Sequence, residues 1–361
     1  MSIKKTALVL QGGGALGAYE FGVIKALFEY DIKPEIITGV SIGAYNAAVL
    51  AGAKDNNPID SLERFWLELM PIGGLMGAII KLLPSEKLKQ IVQITGNPNI
   101  PINLKVLIPF LSATSIYSNK PLRKALEEVI DFDRLNSTNA PHTVVNAVNV
   151  QTGELTHFEN KNGNRITIDH VMASGSIAPA YPAIKIQNEN NGENYYWDGG
   201  LFNNTPLSKA IHLLQSDDEN SLQKVERELI VAELFPKEIK NMPEDLEQVL
   251  DRVIELLCAS KINLDLKFFK RMTSYIELIQ LIDKKLPHDE EGNKIRELEA
   301  YDSLLNRRKK IDRHLVVTLR DHETALGVLD SSRDALKRRI NSGYDDTVLA
   351  LKNSDFLSTR H

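Results

Sequence analysis

Ala7-Leu-Val-Leu-Gln-Gly-Gly-Gly14 and Ile36-Ile-Thr-Gly-Val-Ser41 decide the fold. Each is a short, continuous apolar run, the pattern of a strand covered on both faces, and each is broken by glycine. Behind the first, apolar residues recur at Leu16, Tyr19, Val23, Ala26, Leu27 and Tyr30, which is helical spacing, and Asp31 and Pro34 close that helix. Behind the second, an alanine-rich stretch from Ile42 to about Ala53 reads as another helix. Strand, helix, strand, helix in that order implies an α/β protein with a parallel sheet and helices packed on it.

Further strands are expected at Thr143–Val150, at Leu155–Phe158 after a Thr152-Gly-Glu154 turn, at Tyr195–Trp197, at Leu229–Leu234 and at His314–Leu319. Ile168–Ala173 reads as a short helix running into a Ser174–Pro179 loop. Residues 60–135 read as mostly helical and irregular. After Phe235 the composition shifts to charged helices. There Leu246, Val249, Leu250, Val253 and Leu257 form an apolar stripe expected to pack on the core or cap a site, and a second helical stretch covers about Lys294–Lys309. The expected organisation is a catalytic domain over 1–235 and a mainly helical C-terminal region over 236–361, whose one further strand, about 314–319, packs on that domain.

The 361 residues carry 43 Lys and Arg against 48 Asp and Glu, a net charge of −5, which does not favour electrostatic nucleic-acid binding. Cys258 is the single cysteine, so no intrachain disulfide and no cysteine-based zinc site is possible. The longest apolar stretch, Leu67–Leu83, is interrupted by Glu68, Pro71, three glycines and Lys81, so it does not read as a membrane span. The run after Lys4 and Lys5 is shorter than a secretory signal core and reads as a strand. The chain is accordingly expected to be cytoplasmic, with at most peripheral membrane contact.

Three short motifs carry chemistry. Gly39-Val-Ser-Ile-Gly43 is a G-x-S-x-G pattern between a predicted strand and helix, where a tight turn pushes the Ser41 hydroxyl out above the sheet edge. The helix behind it offers free N–H groups and a positive dipole end to a developing anion. Gly12-Gly-Gly-Ala-Leu-Gly17 follows the first strand. It also satisfies the dinucleotide fingerprint G-x-G-x-x-G, with Asp31 near the distance that reading wants, so a nicotinamide oxidoreductase stays an alternative. In the acyl-transfer reading the same glycines aim backbone N–H groups at an oxyanion. Asp198-Gly-Gly200 closes another strand-like run.

A serine nucleophile needs a base. The eight histidines (His142, His157, His170, His212, His288, His314, His322 and His361) sit in no convincing motif, although His314 or His322 would complete a Ser…Asp…His order. The glycine loop and the serine turn lie only about 25 residues apart, too compact for an ordinary α/β-hydrolase. A two-residue site with Asp198 as direct base is favoured. A catalytically silent scaffold, recruiting partners through the charged helices at 240–310, is the remaining alternative.

Gly12–Gly17, Gly39–Gly43 and Asp198–Gly200, in that order, resemble the patatin-like phospholipase family, as does Ala173-Ser-Gly-Ser-Ile-Ala-Pro179 followed by Tyr181-Pro182. The likeness covers about residues 5–235. It implies a three-layer α/β/α sandwich with a mostly parallel sheet, and hydrolysis of lipid or phospholipid acyl esters with no metal, nucleotide or other cofactor. By position, it implies Ser41 as nucleophile, Asp198 as base and oxyanion donors among Gly12, Gly13, Gly14 and Ala15, with Gly17, Gly39, Gly43, Gly199 and Gly200 as motif glycines. Many members carry Arg or Lys after the triple glycine; Ala15-Leu16 stand there in this chain, which removes a cation for anchoring phosphate. Apolar residues around Leu67–Leu83 and Ile102–Leu111 are candidates for an acyl channel or interfacial patch. The tail, Asp330-Ser-Ser-Arg-Asp-Ala-Leu336 with Asn341-Ser-Gly-Tyr344-Asp345, resembles an extension of some bacterial members.

Overall fold

The computed structural model describes residues 3–70, 115, 117–187, 192–216, 225–235, 238–239, 242–259, 262–303, 309–320 and 330–357. The apolar stretch at 102–111, most of Leu67–Leu83, His322 and His361 lie outside them. The described strands form one sheet of eight: β1 (Ile3–Leu10), β2 (Ile36–Val40), β3 (His142–Asn149), β4 (Leu155–Glu159), β5 (Ile184–Gln187), β6 (Glu193–Asp198), β7 (Val225–Glu233) and β8 (Arg313–Thr318). The described helices are α1 (Gly17–Glu29), α2 (Ile42–Ala51), α3 (Pro58–Arg64), α4 (Lys120–Val129), α5 (Phe132–Leu135), α6 (Ile168–Ser174), α7 (Leu207–Gln215), α8 (Leu246–Cys258), α9 (Ile262–Asp283), α10 (Glu290–Arg296), α11 (Glu299–Asp302) and α12 (Arg333–Lys352).

β1 lies in the middle because nothing in Ala7–Leu10 wants water. It pairs in parallel with β2 on one side and β7 on the other, and β2–β3 and β7–β8 are parallel too. Its side chains alternate between two cores. Leu8 and Leu10 pack in the cluster formed by Phe21, Ile24, Val49 and Leu336; Ala7 and Val9 pack against Leu207, Ala210 and Leu214 of α7. Helices therefore cover both faces, as parallel strands require. Three strands at the other end, β4, β5 and β6, run antiparallel.

The register around β3 builds the site. β4 covers Val144–Val148, overlapping both β2 (His142–Asn146) and β6 (Ala147–Asn149), so β2 and β6 share the opposite edge of β3. They meet there end to end: Val40 stands opposite Asn146, and Asp198 opposite the next residue, Ala147. The residue after Val40 is Ser41.

Beyond residue 235 the chain is built into the same core. β8 hydrogen-bonds to β7 within the sheet, and α12 crosses α1 with their backbones touching. A Cβ on Gly343 would stand 2.0 Å from the Tyr19 carbonyl oxygen, and one on Gly22 the same distance from that of Ile340. No side chain can yield there, so Gly343→Ala is expected to cost about 3 kcal/mol, the upper end of an overpacked core. Chemical denaturation would measure it, and a loss under about 0.5 kcal/mol, the size of an ordinary surface change, would contradict the close crossing.

Helix starts follow ordinary capping chemistry. Asn57, Asp131, Asp245 and Ser332 each accept N–H bonds at the heads of α3, α5, α8 and α12. The expected burial of the α8 stripe is corrected at two of its five positions, Val249 and Val253, which are exposed; the side chains of the other three lie outside the described residues. The C-terminal end of α8 docks on the core through Cys258, as does Ala259 just after it. The expected helix over Lys294–Lys309 is interrupted, with α10 ending at Arg296 and α11 at Asp302.

Candidate active site

Ser41 sits between β2 and α2 with φ 56° and ψ −126°, in the left-handed half of the map. The turn is this tight because α2 begins against the end of β1: a Cβ on Gly43 would stand 2.5 Å from the Leu10 carbonyl oxygen. The Ser41 N–H donates to the carbonyl (3.0 Å) and hydroxyl (3.1 Å) of Ser174 at the end of α6. Two residues on, the Ser176 carbonyl accepts the Asp198 N–H at 3.0 Å. The Ser174-Gly175-Ser176 segment thus braces both backbones that carry the candidate dyad.

Asp198 is 2% exposed. Burial pushes its carboxyl up to about 7, against the pull of the Ser41 hydroxyl and the Gly200 amide that hydrogen-bond it. The Gly200 N–H donates to Oδ1 at 2.7 Å, within the short 3-10 turn Gly199–Leu201. Sequence distance is thereby closed: Ser41 and Asp198 face each other.

The glycine loop lies alongside. A Cβ on Gly12 would stand 2.9 Å from the Ser41 Cβ, so this backbone flanks the serine. Gly12 itself is engaged: its N–H donates to the Asn204 carbonyl (3.2 Å) and its carbonyl accepts from Asn204 Nδ2 (3.0 Å). Gly13 precedes a 3-10 turn over Gly14–Leu16, with its carbonyl accepting the Leu16 N–H, and Gly14 has φ 56°. Gly17 opens α1 and its carbonyl accepts from Asn46 Nδ2 at 2.9 Å. Gly39 lies against Gly43, and Gly199 against the Asn146 carbonyl.

Around this loop stand residues that no motif announced. Gln11 accepts the Leu234 N–H (2.6 Å) and donates to the Cys258 carbonyl (3.1 Å), which Asn204 also reaches (3.0 Å). Asn46 donates to buried Glu20 (2.9 Å) and accepts from Trp66 Nε1 (2.8 Å). Burial pushes the Glu20 carboxyl well above its usual range, opposed by hydrogen bonds from the Asn46 side chain and the Gln11 backbone N–H. Tyr45, one turn beyond Ser41, has its phenol pushed up by burial and then by Tyr181 and Asp198. Burial and the Asp198 carboxylate push the Cys258 thiol up to about 11. Asn203-Asn204-Thr-Pro206, directly after the aspartate motif, was the one local signal available for Asn204.

Three of the histidines are engaged elsewhere, and His314 is an exposed residue of β8, opposite Leu229. His142 bonds Glu159 (2.9 Å), His157 bonds Asn146 (2.6 Å), and His170 stacks on Phe158 while Nδ1 accepts the Thr167 N–H. Burial lowers His170 to about 4. Asp31 ends α1 at the surface, paired with Lys33, whereas the carboxyl end of β2 carries Ser41. That placement does not fit a ribose-binding acid. Among the described residues no group of three or more His, Cys, Asp or Glu side chains is placed to hold a metal, and no helix is long and apolar enough to cross a membrane.

A serine on a strand-to-helix elbow, a buried acid facing it and a glycine loop beside both define an α/β protein with a candidate hydrolytic site. The patatin-like phospholipase family profile matches residues 8–211, more than half of the chain, and the chain belongs to that family. Over 51 residues it is 53% identical to a patatin-like phospholipase domain-containing protein of Aspergillus clavatus, and over 50 residues 48% identical to triacylglycerol lipase 4 of Saccharomyces cerevisiae. Each match covers 14% of this chain and only 7% and 6% of those proteins. Among solved structures, VipD from Legionella pneumophila aligns at TM-score 0.40 and 16% identity, over 96% of this chain and 66% of its own. Human GIVD cytosolic phospholipase A2 aligns at 0.33 and 12%, over 63% and 41%.

Proposed function

We propose that this chain hydrolyses the acyl ester bonds of lipids through a Ser41–Asp198 dyad. The observation that carries the reading is the buried Asp198 carboxyl, raised to about 7 and hydrogen-bonded by the Ser41 hydroxyl. A carboxylate with an ordinary pKa near ~4 is too weak a base at neutral pH, and burial removes that deficit.

In the first half, Ser41 Oγ attacks the ester carbonyl carbon while its proton passes to Asp198. The tetrahedral oxyanion is held by loop N–H groups, which we assign to Gly13, Gly14 and Ala15, because the Gly12 N–H is engaged by Asn204. The alkoxide leaves, taking the proton from Asp198, and the acyl group stays on Ser41. In the second half, water gives a proton to Asp198 and attacks the acyl-serine, and the carboxylic acid departs as the proton returns to Ser41. Family membership and the names of the relatives support a lipid substrate, phospholipid or triacylglycerol.

A fluorophosphonate probe is expected to add one label per chain, mapped by mass spectrometry to the peptide carrying Ser41. A panel of phospholipids and triacylglycerols should release free fatty acid. Label on another residue, or an unlabelled folded protein, would refute the dyad.

A further inference from the structure

The C-terminal helix α12, which the proposed mechanism leaves unused, reaches the glycine loop through one side chain. Arg339 on α12 is a charged residue only 3% exposed. A buried guanidinium is retained only where its N–H groups find acceptors. Here Nη1 donates to the Asp330 carbonyl at 2.6 Å and reaches the Ala15 carbonyl, 324 residues away in the chain, at 3.4 Å. Ala15 belongs to the glycine loop, in the 3-10 turn where the loop becomes α1.

The helix that carries Arg339 is fixed against α1 along its length. Gly343 touches the Tyr19 backbone, the Tyr19 hydroxyl donates to Asp346 (3.0 Å), and the Tyr344 hydroxyl donates to Glu29 (2.5 Å). Asp330 also accepts the Ser332 N–H, forming the turn into α12 that presents its carbonyl to Arg339. The residues of the C-terminal motif thus fall into one device that registers α12 on α1 and brings a cation to the loop.

We propose that Arg339 is a positioning residue for the reaction: by holding the Ala15 carbonyl, it fixes the glycine loop that flanks Ser41, so that the loop amides are aimed before substrate arrives. The proposal rests on the reading of those amides as oxyanion donors. Preorganised donors stabilise charge that develops only in the transition state, so loosening them acts on kcat and leaves KM alone.

The test compares Arg339→Met, which keeps the aliphatic stem, with Arg339→Lys, which keeps the cation, and with Arg338→Met, which removes the neighbouring exposed cation of α12. With p-nitrophenyl butyrate, Arg339→Met is expected to lose about 10–100-fold in kcat with KM within about twofold, less than the full loss of a donor. Arg339→Lys, which keeps the charge but not the fork of donors, should fall between wild type and Arg339→Met with a loss of about 3–10-fold in kcat, and Arg338→Met should match wild type. Hydrogen exchange followed by mass spectrometry gives a readout that needs no activity: the peptide spanning Gly12–Leu16 should exchange faster in Arg339→Met while β2 keeps its protection. A folded Arg339→Met protein with unchanged loop exchange overturns the proposal, as does a rise in KM with kcat intact. If Arg339→Met does not fold, Arg339→Lys carries the test, with slightly faster loop exchange and lower kcat expected and wild-type values in both overturning it. If wild type hydrolyses no ester but loop exchange still responds, the dyad reading fails and the bracing by Arg339 stands.

Discussion

Asp198→Asn is expected to lower kcat by about 10²–10⁴-fold, the usual worth of a general base, and to stabilise the fold above pH 7. Both effects come from one cause. Desolvation raises Asp198 to about 7 in the folded chain, against ~3.9 when unfolded. The folded state therefore holds the proton more tightly. That contribution to stability is fully present below about pH 4 and is lost as pH rises through about 7. Above pH 7 the buried charge leaves the folded state about 4 kcal/mol less stable, relative to the unfolded chain, than it is below pH 4, as three pKa units imply. Asparagine keeps the oxygen that accepts the Gly200 N–H and carries no charge. The variant and wild type should melt alike near pH 4 and diverge upward to pH 8, with the variant the more stable. In the same window wild-type kcat/KM should climb about tenfold per pH unit and level off above 7, as a free-enzyme base demands. Melting curves that stay parallel from pH 4 to 8 would mean that Asp198 is not the desolvated base described above.

What the sequence made legible was what local chemistry specifies. β1, α1, β2 and α2 were readable because each apolar run carries glycine at or beside its end, α1 shows a helical period, and α2 is rich in alanine. β5 and α7 escaped notice. β5 has four residues and one buried apolar side chain, Ile184, too little for a period to register. α7 shows Leu207, Ala210 and Leu214 at helical spacing, but the polar run Asn203-Asn-Thr-Pro206 masks where it begins. α12 escaped for a different reason. Its buried stripe runs Ala335, Leu336, Arg339, Ile340, Gly343, Thr347 and Leu351, and three of those seven are an arginine, a glycine and a threonine. Helical period is read from hydrophobicity, and this stripe buries a cation, a glycine and a hydroxyl among its apolar residues.

The site divides in the same way. Ser41 and Asp198 stand at turns with glycine signatures, so the sequence points at them. Their proximity is set by the register of β2 and β6 along β3, which no local pattern encodes. Asn204, Gln11, Ser174 and Ser176 act largely through backbone groups or a single side-chain amide, and such contacts constrain composition weakly. Nor does a triple glycine say which of its amides is already engaged. Gly12 is held at both its N–H and its carbonyl by Asn204, which is why the donor role is proposed for the residues after it.

Ser41→Gly is expected to abolish fluorophosphonate labelling, to lower kcat on the order of 10⁴–10⁶-fold, and yet to yield a more stable protein. The residue holds φ 56° and ψ −126°, where a Cβ costs about 1–3 kcal/mol and glycine sits freely. Glycine returns part of that gain, roughly 0.5–1 kcal/mol, through its looser unfolded chain. Ser41→Ala removes the hydroxyl but keeps the Cβ, so it should lose the same activity and gain nothing of this kind. The difference in unfolding free energy between the glycine and alanine variants isolates the backbone strain from the lost hydrogen bond to Asp198. Equal stabilities would show that the elbow is relaxed; turnover by the alanine variant at the wild-type rate would remove Ser41 as nucleophile. A serine at a position whose backbone geometry favours glycine argues for chemistry there.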